Sequence, residues 1–210
     1  MLDIDVFRFG SLDTNGVLLS HGSDAVIFDP DGRASDWLNI LDSRGLLLRG
    51  IYATHGHFDH IWAIQELIDN TGAPWFINHT DINAVVWSNA IITANHGLAL
   101  DLVKNPPQKL SAGDTEILGA RVKIYETPGH TAGGMVFYFV DEKILIAGDT
   151  LFANTCGRTD LPGGSDVQMR ASLRKLRDEN FDDDVVVISG HGKNSTIGQQ
   201  RTNNPVFYNN

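Results

Sequence analysis

Cysteine is nearly missing from these 210 residues, with Cys156 standing alone. One thiol permits no intrachain disulfide, which excludes a disulfide-stapled scaffold and fits a reducing compartment; Cys156 itself reads as a small packing residue. Long apolar runs are missing too. The chain is 42% apolar, yet no stretch approaches the roughly 20 consecutive apolar residues a membrane-spanning helix needs. Basic charge is scarce, since 16 Lys and Arg face 26 Asp and Glu, for a net charge of −10. A protein that grips a polyanion presents a basic face, so a nucleic-acid partner is not expected. The densest basic run, Arg170, Arg174, Lys175 and Arg177, is interleaved with Met169, Leu173 and Leu176 at helical spacing, as the solvated face of an amphipathic helix is. The segment Met1 to Phe7 alternates like a strand and carries acids where a secretory leader needs basic residues. No linker or low-complexity segment divides the chain. These features predict one cytoplasmic domain over 1–210 that acts on a small molecule, with no nucleic acid and no membrane as partner.

What is present is concentrated in Thr54-His55-Gly56-His57-Phe58-Asp59-His60, which places three imidazoles and a carboxylate within seven residues. For any one histidine, a satisfied core or capping role is the simpler reading, and Asp59 alone reads as a helix N-cap. Together, the four ligand-type side chains point to a metal site. The preceding Gly50 to Ala53 reads as a buried strand, and Ile61, Ile64, Leu67 and Ile68 recur at helical spacing. The cluster therefore sits where a strand meets a helix. His55 and His57 are two apart and project to one side of extended backbone, while Asp59 and His60 enter the first helical turn and point elsewhere. One loop can then serve two metal centres. Three further strand-like runs each end in a potential ligand: Val122 to Tyr125 before His130, Lys143 to Gly148 before Asp149, and Val185 to Ile188 before His191.

The two halves echo each other. Val17 to Leu19 with Ala25 to Asp29, and Met135 to Val140 with Lys143 to Asp149, read as hairpins ending in aspartate. Helices are predicted near 35–43, 59–70, 80–90, 93–103, 165–179 and 196–204. Thr196 and Gln199 suggest a capping box, with Pro205 closing that helix. Strand pairs followed by helices, twice over, predict an α+β chain of two sheets packed face to face with helices outside both. Asp29 is expected to support a ligand rather than to be one. Aromatic segments around Trp62, Trp75-Phe76 and Trp87 read as core packing, and His21, His79 and His96 as ordinary surface or loop residues.

His-x-His-x-Asp-His, followed in order by His130, Asp149 and His191, resembles the metallo-β-lactamase superfamily over nearly the whole chain. Gly148 to Phe152, Cys156 to Gly164 and the closing 191–205 are similar to its glyoxalase II-like branch. The resemblance implies a four-layer αββα sandwich of two mixed sheets. It implies two divalent ions, zinc first and iron or manganese as alternatives. His55, His57 and His130 would bind the first, Asp59, His60 and His191 the second, and Asp149 would bridge them. It further implies that a metal-bridging hydroxide, oriented by the catalytic Asp59, cleaves a thioester such as an S-acylglutathione. The thiolate, with a pKa of about 8.5, departs without a strong acid. Two departures bear on the substrate. Only 192–210 follow His191, so the helical glutathione-binding domain of full-length glyoxalase II is not expected, and Arg158, Thr159 and Asp160 stand where that branch has glutathione-holding residues. Arg158 is either a bidentate partner for a substrate carboxylate or a buried arginine paired with Asp160. The alternatives are a mononuclear iron persulfide dioxygenase, which shares Cys-Gly-Arg-Thr-Asp, and a lactone or small-ester hydrolase.

Overall fold

Alternating and fully apolar runs convert into strands much as their periods demand. The computed structural model describes residues 2–96 and 103–208, in two compact units, Met1–Leu110 and Ser111–Asn210. In the first unit β1 (Asp3–Phe7), β2 (Gly16–His21) and β3 (Asp24–Phe28) run antiparallel to their neighbours. Helix α1 (Ala34–Arg44) then returns the chain to β4 (Leu47–Tyr52), which lies parallel to β3. After β4 come α2 (Phe58–Ile61), α3 (Ile64–Thr71), β5 (Trp75–Ile77), a 3-10 turn at His79–Asp81, α4 (Ile82–His96) and β6 (Gln108–Lys109). The sheet order is β1-β2-β3-β4-β5-β6, parallel from β3 onward.

The second unit repeats the plan. β7 (Gly113–Ile117), β8 (Ala120–Glu126), β9 (Met135–Phe139) and β10 (Ile144–Gly148) form an antiparallel meander. Helix α5 (Asp166–Asp178) crosses to β11 (Val186–Ser189), parallel to β10, and β12 (Ser195–Thr196), α6 (Ile197–Asn203) and α7 (Pro205–Tyr208) complete the unit. The chain is thus α+β, with two mixed sheets flanked by helices.

Each unit buries its own core. In the first, Leu18, Ile27 and Ile51 pack with Trp37 and Leu41 of α1 and Ile64 and Leu67 of α3. In the second, Val136, Leu145 and Val187 pack with Leu173 and Leu176 of α5 and with Phe207 of α7. The opposite faces, with Val17, Leu19, Val26 and Phe28 on one sheet and Phe137, Phe139 and Ile146 on the other, are buried as well. Strands buried on both faces read as continuous apolar runs, as β2 and β10 do.

Several expectations needed adjustment. The helix predicted at 59–70 breaks at Trp62-Ala63, because the Ala63 N–H donates to the Pro30 carbonyl (3.0 Å) rather than to the preceding helical turn. The pair predicted near 80–90 and 93–103 is one helix, α4, as far as His96; 97–102 lie outside the described residues. Pro205 does not merely close α6 but opens α7, where its missing N–H costs nothing. Among the described residues no helix is long and apolar enough to cross a membrane. The capping box is present, with Thr196 Oγ1 accepting from Gln199 N (3.2 Å) and Gln199 Oε1 accepting from Thr196 N (3.1 Å). Thr196→Ala should therefore lower unfolding stability by about 1 kcal/mol, read as a lower urea midpoint at unchanged m-value.

Candidate metal centre

Parallel strands bring their carboxyl ends to one edge of a sheet, and open α/β sheets place chemistry there. In the first unit β3 and β4 pair with Phe28 beside Tyr52, so Asp29 leaves the sheet alongside the loop that begins at Ala53. Asp29 has a left-handed backbone (φ 49°), a conformation aspartate tolerates, and its side chain is 1% exposed. Its carboxylate accepts two hydrogen bonds, both from Thr54, and stands beside His60. Oδ1 takes the Thr54 N–H at 2.7 Å; Oδ2 takes the Thr54 hydroxyl at 2.7 Å and lies 2.9 Å from His60 Nδ1.

His60 lies between two carboxylates, with Nδ1 2.9 Å from Asp29 Oδ2 and Nε2 3.5 Å from Asp59 Oδ2. Thr54 has spent its one proton on Asp29. The 3.1 Å contact between its hydroxyl and His55 Nδ1 is thus an imidazole N–H donating to oxygen. His55 Nε2 is left with its lone pair, 3.1 Å from His57 Nδ1. Two imidazole nitrogens on one tetrahedral zinc lie about 3.3 Å apart, given Zn–N near 2.05 Å, so this spacing fits a shared ion. Asp29 thus binds Thr54 and adjoins His60, two residues of the histidine-rich loop.

Gly56 lies between those histidines because nothing larger fits. A Cβ there would fall 2.8 Å from the Asp81 carbonyl and 2.9 Å from Val85. Its N–H donates to Asp81 Oδ2 (2.6 Å) and its carbonyl accepts from Ser88 (2.9 Å). Trp87 abuts the His57 ring, with centroids 5.5 Å apart. Asp59 is not an N-cap. It lies inside α2, where the Thr14 hydroxyl donates to its Oδ2 at 3.0 Å, and it lines an open cavity.

The second unit gathers the other three. β8 and β10 both run antiparallel to β9, and β11 runs parallel to β10, so all three carboxyl ends share an edge. His130 Nδ1 donates to the Arg158 carbonyl (2.7 Å), which leaves Nε2 facing Asp149 Oδ2 at 3.4 Å. His191 Nε2 lies 3.7 Å from the same oxygen. One carboxylate oxygen thus faces two imidazoles. Gly157 makes this loop possible, since a Cβ there would lie 2.0 Å from the Asp149 carbonyl. Gln200 and Asn204, fully buried, donate to the carbonyls of Phe152 and Thr155 at 3.0 and 3.1 Å, tying the loop to α6.

Arg158 contributes its carbonyl to His130, a role its side-chain chemistry did not announce. Its guanidinium forms two 2.7 Å bonds to Asp160, but at 62% and 67% exposure the pair is solvated, not buried as one reading expected. The guanidinium holds the Asp160 carboxyl down at about 2, so the pair persists at neutral pH. Cys156 packs against the second core, and burial pushes its thiol up.

The donor set is nitrogen and oxygen only, divided between the two units as His55, His57, Asp59 and His60 in one and His130, Asp149 and His191 in the other. It suits zinc, iron or manganese. The model of the metallo-β-lactamase superfamily matches residues 10–191. The chain belongs to this superfamily. Among superfamily relatives, a hydroxyacylglutathione hydrolase, GloC, of Haemophilus influenzae is 33% identical over 186 residues, covering 86% of each protein. Among superfamily folds, the B3 metallo-β-lactamase BLEG-1 aligns with a TM-score of 0.87 at 30% identity, over 98% of this chain and 99% of that one. TTHA1623, solved in a di-iron-bound form, aligns with a TM-score of 0.86 at 29% identity, over 96% and 98%.

If Asp29 sets the imidazole orientations, Asp29→Asn, which replaces one of the two accepting oxygens with an NH2 that must face a Thr54 donor, should weaken metal binding by about 10- to 100-fold. Chelator competition reads the loss, and an unchanged far-ultraviolet circular dichroism spectrum separates it from unfolding.

Proposed function

We propose that the protein is a binuclear metal-dependent hydrolase of thioesters, S-acylglutathiones being the model substrate class. In this reading His55, His57 and His130 hold one ion, Asp59, His60 and His191 the other, and Asp149 bridges them. The observation that carries it is the orientation of the rings: His55 Nδ1 meets the Thr54 hydroxyl, His130 Nδ1 the Arg158 carbonyl and His60 Nδ1 lies beside the Asp29 carboxylate, which turns their Nε2 atoms toward His57, Asp149 and Asp59 respectively. When bound, such a pair of ions supplies a hydroxide nucleophile at neutral pH and polarises the acyl carbonyl. The di-iron form of TTHA1623 supports a two-ion occupancy, with iron beside zinc as a candidate metal.

Asp59 lines an open cavity, with the Thr14 hydroxyl donating to its Oδ2, and its carboxylate is the group that would orient the attacking water. The leaving group sets the substrate class. A thiolate of pKa about 8.5 departs unprotonated, whereas an amide nitrogen must receive a proton. The likeness to GloC supports a thioester from the side of ancestry. We further infer that the enzyme works in the cytoplasm, where its single cysteine stays reduced.

Purified protein should hold about two metal ions per chain, hydrolyse S-lactoylglutathione, and lose that activity on chelation and regain it on metal addition. His57→Ala should lose one ion and most turnover while keeping its secondary structure. One iron per chain, with oxygen uptake on glutathione persulfide and no thioester cleavage, is the result that overturns the assignment.

A further inference from the structure

Gly56 alone separates His55 from His57, and it is glycine for want of space rather than for its backbone. Its φ is not in the left-handed region, whereas a Cβ would meet backbone atoms of Asp81 and Val85 at 2.8 and 2.9 Å. Glycine brings freedom with it. A residue without Cβ populates both signs of φ, so the chain by itself leaves the spacing of the two rings loose. Their facing nitrogens, His55 Nε2 and His57 Nδ1, nonetheless stand 3.1 Å apart.

What holds the glycine is one face of α4 and of the turn before it. Asp81 ends the 3-10 turn that runs into the helix, and Asp81, Val85 and Ser88 follow at i, i+4 and i+7, the spacing of a single helical face. Such a buried face is normally apolar. Here both ends of the stripe are polar, and Asp81 and Ser88 are each 0% exposed. Asp81 Oδ2 accepts from the Gly56 N–H at 2.6 Å, and the Ser88 hydroxyl donates to the Gly56 carbonyl at 2.9 Å. The peptide on each side of the glycine is thus held, one toward His55 and the other toward His57. Val85 closes the space between them, and Trp87 of the same helix abuts the His57 ring. An apolar pair at 81 and 88 would fill this face at a lower desolvation cost. What it would lose is the grip on Gly56.

We propose that Asp81 and Ser88 are positioning residues for the first ion: acting through Gly56, they set the distance between the His55 and His57 nitrogens and thereby the affinity of that ion. The proposal rests on the reading of His55 and His57 as ligands of one ion, and goes beyond it by giving control of that ion to α4.

The test is a cobalt(II) titration of the metal-free protein against a competing chelator, read from the visible absorption of the bound ion, with circular dichroism to confirm the fold of each variant. His57→Ala identifies the binding step of the first ion, because that step is lost. Ser88→Ala and Asp81→Ala should weaken the same step by about 10- to 100-fold and leave the other unchanged. Asp81→Asn keeps an acceptor and Ser88→Thr a donor, so each should recover part of the loss. Thr196→Ala, which lowers stability in the second unit, should leave both steps as they are. A merely structural role predicts variants that unfold more readily yet, while folded, bind both ions as the wild type does. That result, or equal weakening of both steps, overturns the proposal. If Asp81→Ala does not fold, Ser88→Ala decides alone. Uptake of only one ion by the wild type defeats the binuclear reading by itself, and the effects of His57→Ala and Ser88→Ala on that single step still decide the proposal. An ion that His57→Ala binds as tightly as the wild type does, or no uptake at all, removes it.

Discussion

The carboxylate of Asp29 is the point on which the first half of the site depends. It leaves β3 in a left-handed conformation and is buried. A buried anion is tolerated only when its oxygens are hydrogen-bonded. Here the backbone N–H and hydroxyl of Thr54 do that, with the His60 ring 2.9 Å away, and the same hydroxyl meets His55. The cost of burying one charge becomes the orientation of its neighbours. Asp81 and Ser88 act in parallel on Gly56, fixing the turn between His55 and His57 through backbone bonds.

The second unit reaches the same end with neutral groups. The Arg158 carbonyl orients His130, and that carbonyl is in place because Gly157 lets the loop pass close to Asp149. Gln200 and Asn204 hold the loop from behind. Buried amide networks of this kind are sensitive to any unpaired member, so the position of this loop depends on Gln200 and Asn204.

What could be read in advance follows from where information is stored. The seven candidate ligands stand out in the sequence because imidazoles and carboxylates are dense between Thr54 and His60 and recur where apolar strands stop. The hairpins and the Thr196 capping box were legible because their signals span a few residues. Thr14, Asp81, Ser88, Gln200 and Asn204 were not, since each acts on a backbone or carboxylate far away in sequence and is an ordinary polar residue in its own window. The break after Ile61 was hidden because the competing acceptor, the Pro30 carbonyl, belongs to another loop. Arg158 misdirected attention to its side chain, while its main chain touches the site. Membership of the metallo-β-lactamase superfamily, carried by the match over residues 10–191, agrees with the motif order that suggested it.

The central proposal is that the histidines and aspartates at these strand ends are metal ligands and that two ions are bound. X-ray absorption spectroscopy of the metal-loaded protein addresses it most directly. The account predicts a first shell of nitrogen and oxygen alone, imidazole scattering from more than one histidine per ion, and a metal–metal distance of about 3.5–4 Å. A sulfur ligand, or fully loaded protein with no metal–metal scattering, would contradict it.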